Sequence, residues 1–202
     1  MGVTWKRIAT GAIAAAAALA VGIPAASAAP AAPAARAQST AASAHASATV
    51  VALGWPVLRE GTNAQWPAAT VRSLQYLLDA HGARLAVDGA FGPRTNAAVV
   101  AFQRAHRLPA DGVVQASTWR SLLVTVRLGS HGYAVRAVQD QANFRNLKNG
   151  HSLNVDGIFG SKTRAWVVAF QKAVATMVPG FTVDGVVGSQ TWAALISETL
   201  AG

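Results

Sequence analysis

Apolar side chains recur along much of this chain at helical spacing. Val71, Leu74 and Leu78 stand at i, i+3 and i+7, and Leu77 widens the stripe. The spacing predicts a helix over about 68–80, with Pro67 suited to its first turn and Gly82 to its C-cap. Val135, Val138 and Ala142 repeat the pattern, and Gln139 stands where the first stripe has Gln75. A second helix is expected from Pro93 to His106, with Val99 and Phe102 inward and Arg94, Arg104 and Arg107 toward water. A third, short helix carries Trp119, Leu122 and Leu123, and its later counterpart carries Trp192, Leu195 and Ile196. The two tryptophans belong to the core on this reading, because each sits beside leucine on a helix face.

The polar breaks between these stripes repeat as well. Val87–Gln103 reads VDGAFGPRTNAAVVAFQ and Val155–Gln171 reads VDGIFGSKTRAWVVAFQ. Asp88 and Asp156, Phe91 and Phe159, and Phe102 and Phe170 are each 68 residues apart. A shorter echo follows each copy, DGVVQASTW at Asp111–Trp119 and DGVVGSQTW at Asp184–Trp192, now 73 residues apart. Copy two therefore holds a five-residue insertion before its second echo. The Asp-Gly pairs predict tight turns, since Gly accepts positive φ and Asp bonds its own backbone. Gln75, Gln103, Gln139 and Gln171 are expected to tie loops to helices. The fold class is mainly α: two tandem three-helix domains, 50–124 and 125–202, joined by a short link at 124–130. Three short helices can enclose one small core. Before them, Val50 to Pro67 reads as an extended lead-in whose Trp55, Val57 and Leu58 pack onto the first domain.

The first fifty residues have another character. Lys6 and Arg7 precede an apolar, Ala-rich run over 8–21, and Ala26-Ser27-Ala28 forms a small-x-small cleavage site. Residues 1–28 read as a secretory signal peptide, the run being shorter than the roughly 20 residues a membrane span needs. Residues 29–49 are mostly Ala, Pro and Ser, with too little apolar bulk to offset chain entropy, so a disordered tether is expected. The chain has no Cys, which excludes thiol nucleophiles, disulfides and thiolate metal sites.

Four linked blocks in order, present twice, carry a family resemblance. They are Val71–Gln75, Asp88–Thr95, Ala98–Gln103 and Asp111–Trp119, then Val135–Gln139, Asp156–Thr163, Trp166–Gln171 and Asp184–Trp192. They resemble the peptidoglycan-binding-like domain family, small three-helix modules attached to many bacterial cell-wall hydrolases. Gln115 departs from the family's second-turn Gly, Val138 from its Leu, and Trp166 stands where copy one has Ala98. The resemblance implies non-covalent binding of wall glycan or its peptide stems; with the signal peptide, a secreted or wall-bound protein is expected, in a Gram-positive bacterium. It does not imply catalysis.

The residues leave little room for other chemistry. His81 and Asp88 have the H-x6-D spacing of some zinc peptidases, but copy two has His151 and Asp156 at a different spacing. Four of the eight acidic residues sit in Asp-Gly turns, which argues against a glycosidase carboxylate pair. No Ser lies in a G-x-S-x-G elbow. No cofactor, metal site or catalytic residue is expected. The formal charge of +9 would point to nucleic acid in a cytoplasmic protein, but export points instead to an anionic wall polymer. Candidate ligand residues are Trp66, Phe91, Arg94, Phe159, Arg164 and Trp166. A monomer without stable membrane insertion is expected. Two rival readings remain open: a wall hydrolase with an unrecognised site, and a protein–protein module that docks on a wall enzyme.

Overall fold

A computed structural model describes residues 53–62, 68–145 and 153–197. The signal-peptide and tether assignments, and Trp66, fall outside those residues. Among the described residues six helices follow in order: α1 Ala68–Ala80, α2 Pro93–Ala105, α3 Ala116–Leu122, α4 Tyr133–Arg145, α5 Ser161–Ala175 and α6 Ser189–Ile196. The mainly helical class and the repeated three-helix plan are as expected. Among the described residues, β structure is limited to three isolated bridges.

Each helix begins and ends where its sequence dictates. Pro93 occupies the first turn of α2, after extended Gly92. Ser161 replaces that proline in α5, and extended Gly160 still precedes it. Gly82 follows α1 at φ +91°, a conformation in which residues with a Cβ are strained.

The four Asp-Gly turns are built to one plan, and a glutamine is its centre. Gln75 of α1 donates to Asp88 Oδ1 at 2.7 Å and to the Ala90 carbonyl at 3.1 Å, and accepts from Gly89 N at 2.9 Å. Gln103 does the same for Asp111, Val113 and Gly112. Gln139 serves Asp156, Ile158 and Gly157, and Gln171 serves Asp184, Val186 and Gly185. Each glutamine also reaches a threonine in the first turn of the next helix: Thr95, Thr118, Thr163 or Thr191. One buried amide thus joins a helix, a turn and the following helix. The unit occurs four times, so each three-helix copy is itself a doubled helix–turn–helix step. The turn glycines need their positive φ of 73–78°. At Gly89 and Gly157 a Cβ would also press on the backbone of Ala68 and Gly132 respectively, at about 3.1 Å.

The lead-in before α1 has a twin. Leu58 bridges Val114, and 68 residues later Val126 bridges Val187. Gly61 N donates to the Phe91 carbonyl and Gly129 N to the Phe159 carbonyl. Trp119 Nε1 donates to the Pro56 carbonyl at 2.7 Å, and Trp192 Nε1 to the Val124 carbonyl at 2.9 Å. Residues 124–130 therefore form the opening segment of copy two, extended and then turning at 128–129, which corrects their reading as a link. Trp55 stacks near Trp119 and Leu58 is buried, as expected, but Val57 is 54% exposed. Alternation along an extended segment turns Val57 outward when Leu58 faces in.

Copies one and two meet along α1 and α4. Arg72 pairs with Asp140 at 2.9 Å, and Gln141 donates to Ser73 Oγ at 2.9 Å and to the Ala69 carbonyl at 3.2 Å. Ser73 and Gln141 are buried there. The apolar cluster runs on from Leu58, Leu74 and Trp119 to Val135, Phe159 and Trp192. The five inserted residues of copy two follow the α5 stretch, and a small second cluster of Val174, Phe181 and Ala194 packs beside them.

Candidate functional site

The turn carboxylates recur four times, at Asp88, Asp111, Asp156 and Asp184. Each Asp Oδ1 accepts the backbone N–H two residues on: Ala90, Val113, Ile158 or Val186, at 2.8–2.9 Å. The same oxygen holds the clamp glutamine. The Gln75 amide, and then the Ala90 N–H, hold the Asp88 carboxyl below its ordinary value. The Ile158 N–H, and then Gln139, do the same for Asp156. A carboxylate kept ionised by bonds within its own turn is a poor proton donor at neutral pH.

His81 and Asp88 do not form a ligand pair. His81 Nε2 donates to the Leu122 carbonyl at the end of α3, at 3.1 Å. Asp88 is committed to its own turn. Among the described residues, no group of three or more His, Cys, Asp or Glu is placed to hold a metal. His81 instead does in copy one what Arg145 does in copy two. The Arg145 guanidinium donates to the Leu195 carbonyl at 2.7 Å, at the end of α6. Burial pulls Arg145 down to about 10, so it remains a cation at neutral pH.

The candidate ligand residues separate sharply. Phe91 and Phe159 are 0% and 1% exposed, a correction to their place among possible contacts. Both rings belong to the apolar core, and each Phe carbonyl accepts a lead-in N–H, from Gly61 or Gly129. Arg94 and Arg164 are exposed, as a contact role requires. Trp166 is half-buried and stacks on Phe170 at 5.3 Å, with Arg145 over the other ring at 5.4 Å. Arg94 lies on α2 of copy one, whereas Arg164 and Trp166 lie on α5, so the structure sets these three on separate copies.

It does gather others, on copy two. Ile158, 52% exposed, is bridged to His131 and lines a shallow pocket of about 270 Å³ with Lys162. Tyr133 is 45% exposed, and the Arg136 guanidinium lies 5.7 Å from its ring centroid. Leu128, one residue before Gly129, is 56% exposed.

Comparison with known proteins decides the family. The peptidoglycan binding domain model matches twice, over residues 67–122 and 131–195, more than half of the chain. The chain belongs to the peptidoglycan binding domain family. It is also 41% identical over 85 residues to the zinc D-Ala-D-Ala carboxypeptidase of Streptomyces albus G. That match takes in 40% of this chain and 33% of the carboxypeptidase, so it spans a third of the relative's length. The two family matches coincide with the two copies, which makes this a tandem peptidoglycan-binding arrangement. Among the described residues, no helix is long and apolar enough to cross a membrane.

The copy-two face of this family member was not legible in the sequence. Ile158 reads there as one more apolar turn residue, like Phe159 beside it. The available signal was the difference between copies, Ile158 against Ala90 and Leu128 against Glu60.

Proposed function

We propose that this is an exported, non-catalytic protein that holds itself, or a partner, on peptidoglycan through its tandem modules. The observation that carries the reading is the use of the turn aspartates. In both copies these carboxylates hold the backbone and a glutamine, which leaves them no part in acid–base chemistry. Wall attachment fits a basic chain, since the formal charge of +9 falls only to +7 when Lys6 and Arg7 leave with the signal peptide and wall stem peptides carry carboxylates. The exposed Arg94 and Arg164 and the half-buried Trp166 are its candidate contacts. Trp66 belongs to the same set. The protein acts as a monomer, outside the membrane, in the wall of a Gram-positive cell.

Sedimentation with purified sacculi across a salt series tests this. Retention at low ionic strength, weakening as salt screens the cations, is the expected result. A mature chain that stays in the supernatant at every salt concentration overturns it.

A further inference from the structure

The two copies share a backbone plan, so a side chain that only one copy displays is not required by the plan. We propose that, beyond the contacts already named, recognition of the carboxylate-bearing peptide stem is carried by copy two, on the face formed by Leu128, Tyr133, Arg136, Ile158 and Lys162. The proposal rests on the wall-binding reading and deepens it.

Contiguity is the first support. Gly132 N donates to the Gly157 carbonyl at 2.9 Å, which brings the start of α4 against the Asp156-Gly157 turn. The Arg136 Nε lies against Gly157, and its guanidinium flanks the Tyr133 ring. Ile158 follows Gly157 and shares the pocket wall with Lys162. Phe159 N donates to the Ser130 carbonyl and Gly129 N to the Phe159 carbonyl, which holds Leu128 next to the same turn.

The sister copy supplies the second support. Six large hydrophobic side chains are exposed among the described residues, and Leu128, Tyr133 and Ile158 are half of them. In copy one the position of Leu128 is Glu60, which accepts from Asn96 at 3.0 Å. Ile158 corresponds to Ala90, and Tyr133 to the buried Ala69. Arg136 corresponds to Arg72, which is tied to Asp140. Copy one folds the same turn without any of these exposed apolar groups. Their display in copy two therefore points to a ligand, since exposed apolar clusters are costly in water.

Charge and shape select the ligand. Leu128 and Ile158 are branched aliphatics that fit methyl-bearing side chains, whereas sugar rings favour flat aromatic faces. One Tyr133 face is already under Arg136. Arg136 and Lys162 outnumber the exposed Asp156 on this rim, which favours carboxylates. A stem peptide brings alanine side-chain methyls and carboxylates together on one flexible chain, whereas a peptide-free glycan strand sets its acetyl and lactyl methyls and lactyl carboxylates among ring hydroxyls and offers no aliphatic side chain.

The test exchanges residues between copies. Leu128→Glu with Ile158→Ala gives copy two the residues that copy one tolerates; Glu60→Leu with Ala90→Ile is the reciprocal pair. Each full-length variant is pelleted with purified sacculi after its thermal transition is checked. Loss of the two aliphatic contacts should weaken retention about tenfold or more, at ~1.4 kcal/mol per tenfold. Tyr133→Ala should act in the same direction. The reciprocal pair should bind at least as well as the wild type. A synthetic N-acetyl-L-Ala-γ-D-Glu-L-Lys-D-Ala-D-Ala peptide, acylated as the stem is in the wall, should compete, and peptide-free glycan strands should not. Undiminished retention of folded Leu128→Glu/Ile158→Ala, or competition by glycan strands alone, overturns the proposal and leaves wall binding standing. Failure of the wild type itself to pellet overturns both.

Discussion

Copy one and copy two are alike inside and unlike outside. Each buries one tryptophan completely and ties its indole to the lead-in strand, and each clamps two Asp-Gly turns with two glutamines. Their surfaces diverge. Copy one places a carboxylate and an alanine where copy two exposes leucine and isoleucine. Copy one ends α1 with His81 against Leu122, where copy two uses Arg145 against Leu195. The lesson is that backbone polar groups constrain a small domain more tightly than its surface does. A turn that must satisfy buried amides has few solutions, and an exposed position has many.

If the interiors are equivalent, equal damage should follow from equal cuts. Trp119→Ala and Trp192→Ala remove fully buried indoles, and each should cost about 3–5 kcal/mol in urea denaturation. A difference of several kcal/mol between them would break the equivalence. The apolar cluster crosses from one copy to the other, so each variant should still unfold in one transition.

The glutamine clamps are the next largest effect. Gln103→Ala or Gln171→Ala strands the turn N–H of Gly112 or Gly185 in the interior, at about 1–3 kcal/mol each. Replacement by Glu should cost more than by Ala, because a carboxylate would face Asp111 or Asp184 at the same short distance.

A smaller effect joins the copies. Arg72 and Asp140 make a part-buried pair across α1 and α4, with side chains 28% and 15% exposed. A double-mutant cycle to alanine should give a coupling of about 1 kcal/mol. Zero coupling would mean that the apolar and Gln141 contacts alone hold the copies together.

The mildest probe is acid. Asp88 and Asp156 have lowered values in the folded chain, so each favours folding while ionised. Their contribution is full above the unfolded carboxylate value, about 3.9, and fades as pH falls through the lower folded values. Asp88→Asn with Asp156→Asn keeps an acceptor oxygen in each turn but removes that titration. The urea midpoint of the double variant should therefore fall less steeply below about pH 4 than that of the wild type. Parallel slopes would contradict the assignment.

Helix positions and the clamp role of the glutamines were legible in the sequence because both follow from local spacing. Val71, Leu74 and Leu78 fix a stripe, and a Gln on that stripe ahead of an Asp-Gly turn has one nearby set of backbone groups to satisfy. The burial of Phe91 and Phe159 was not legible. It depends on a lead-in strand whose two versions share only Arg59/Arg127 and Gly61/Gly129 among their turn residues. The α1–α4 contact was hidden for a similar reason. Nothing local to Arg72 or Gln141 marks Asp140 or Ser73 as a partner 68 residues away. The copy-two face escaped notice because exposure is a property of packing, and periodicity does not report it at a turn.

Incubating the purified full chain with purified sacculi, and measuring both retained protein and newly released amino groups and reducing ends, tests the scaffold account most directly. The account predicts retention with no release, and no release from Asp88→Asn with Asp156→Asn either. Release by the wild type that this double variant abolishes would show that the turn aspartates cut bonds, and would contradict it.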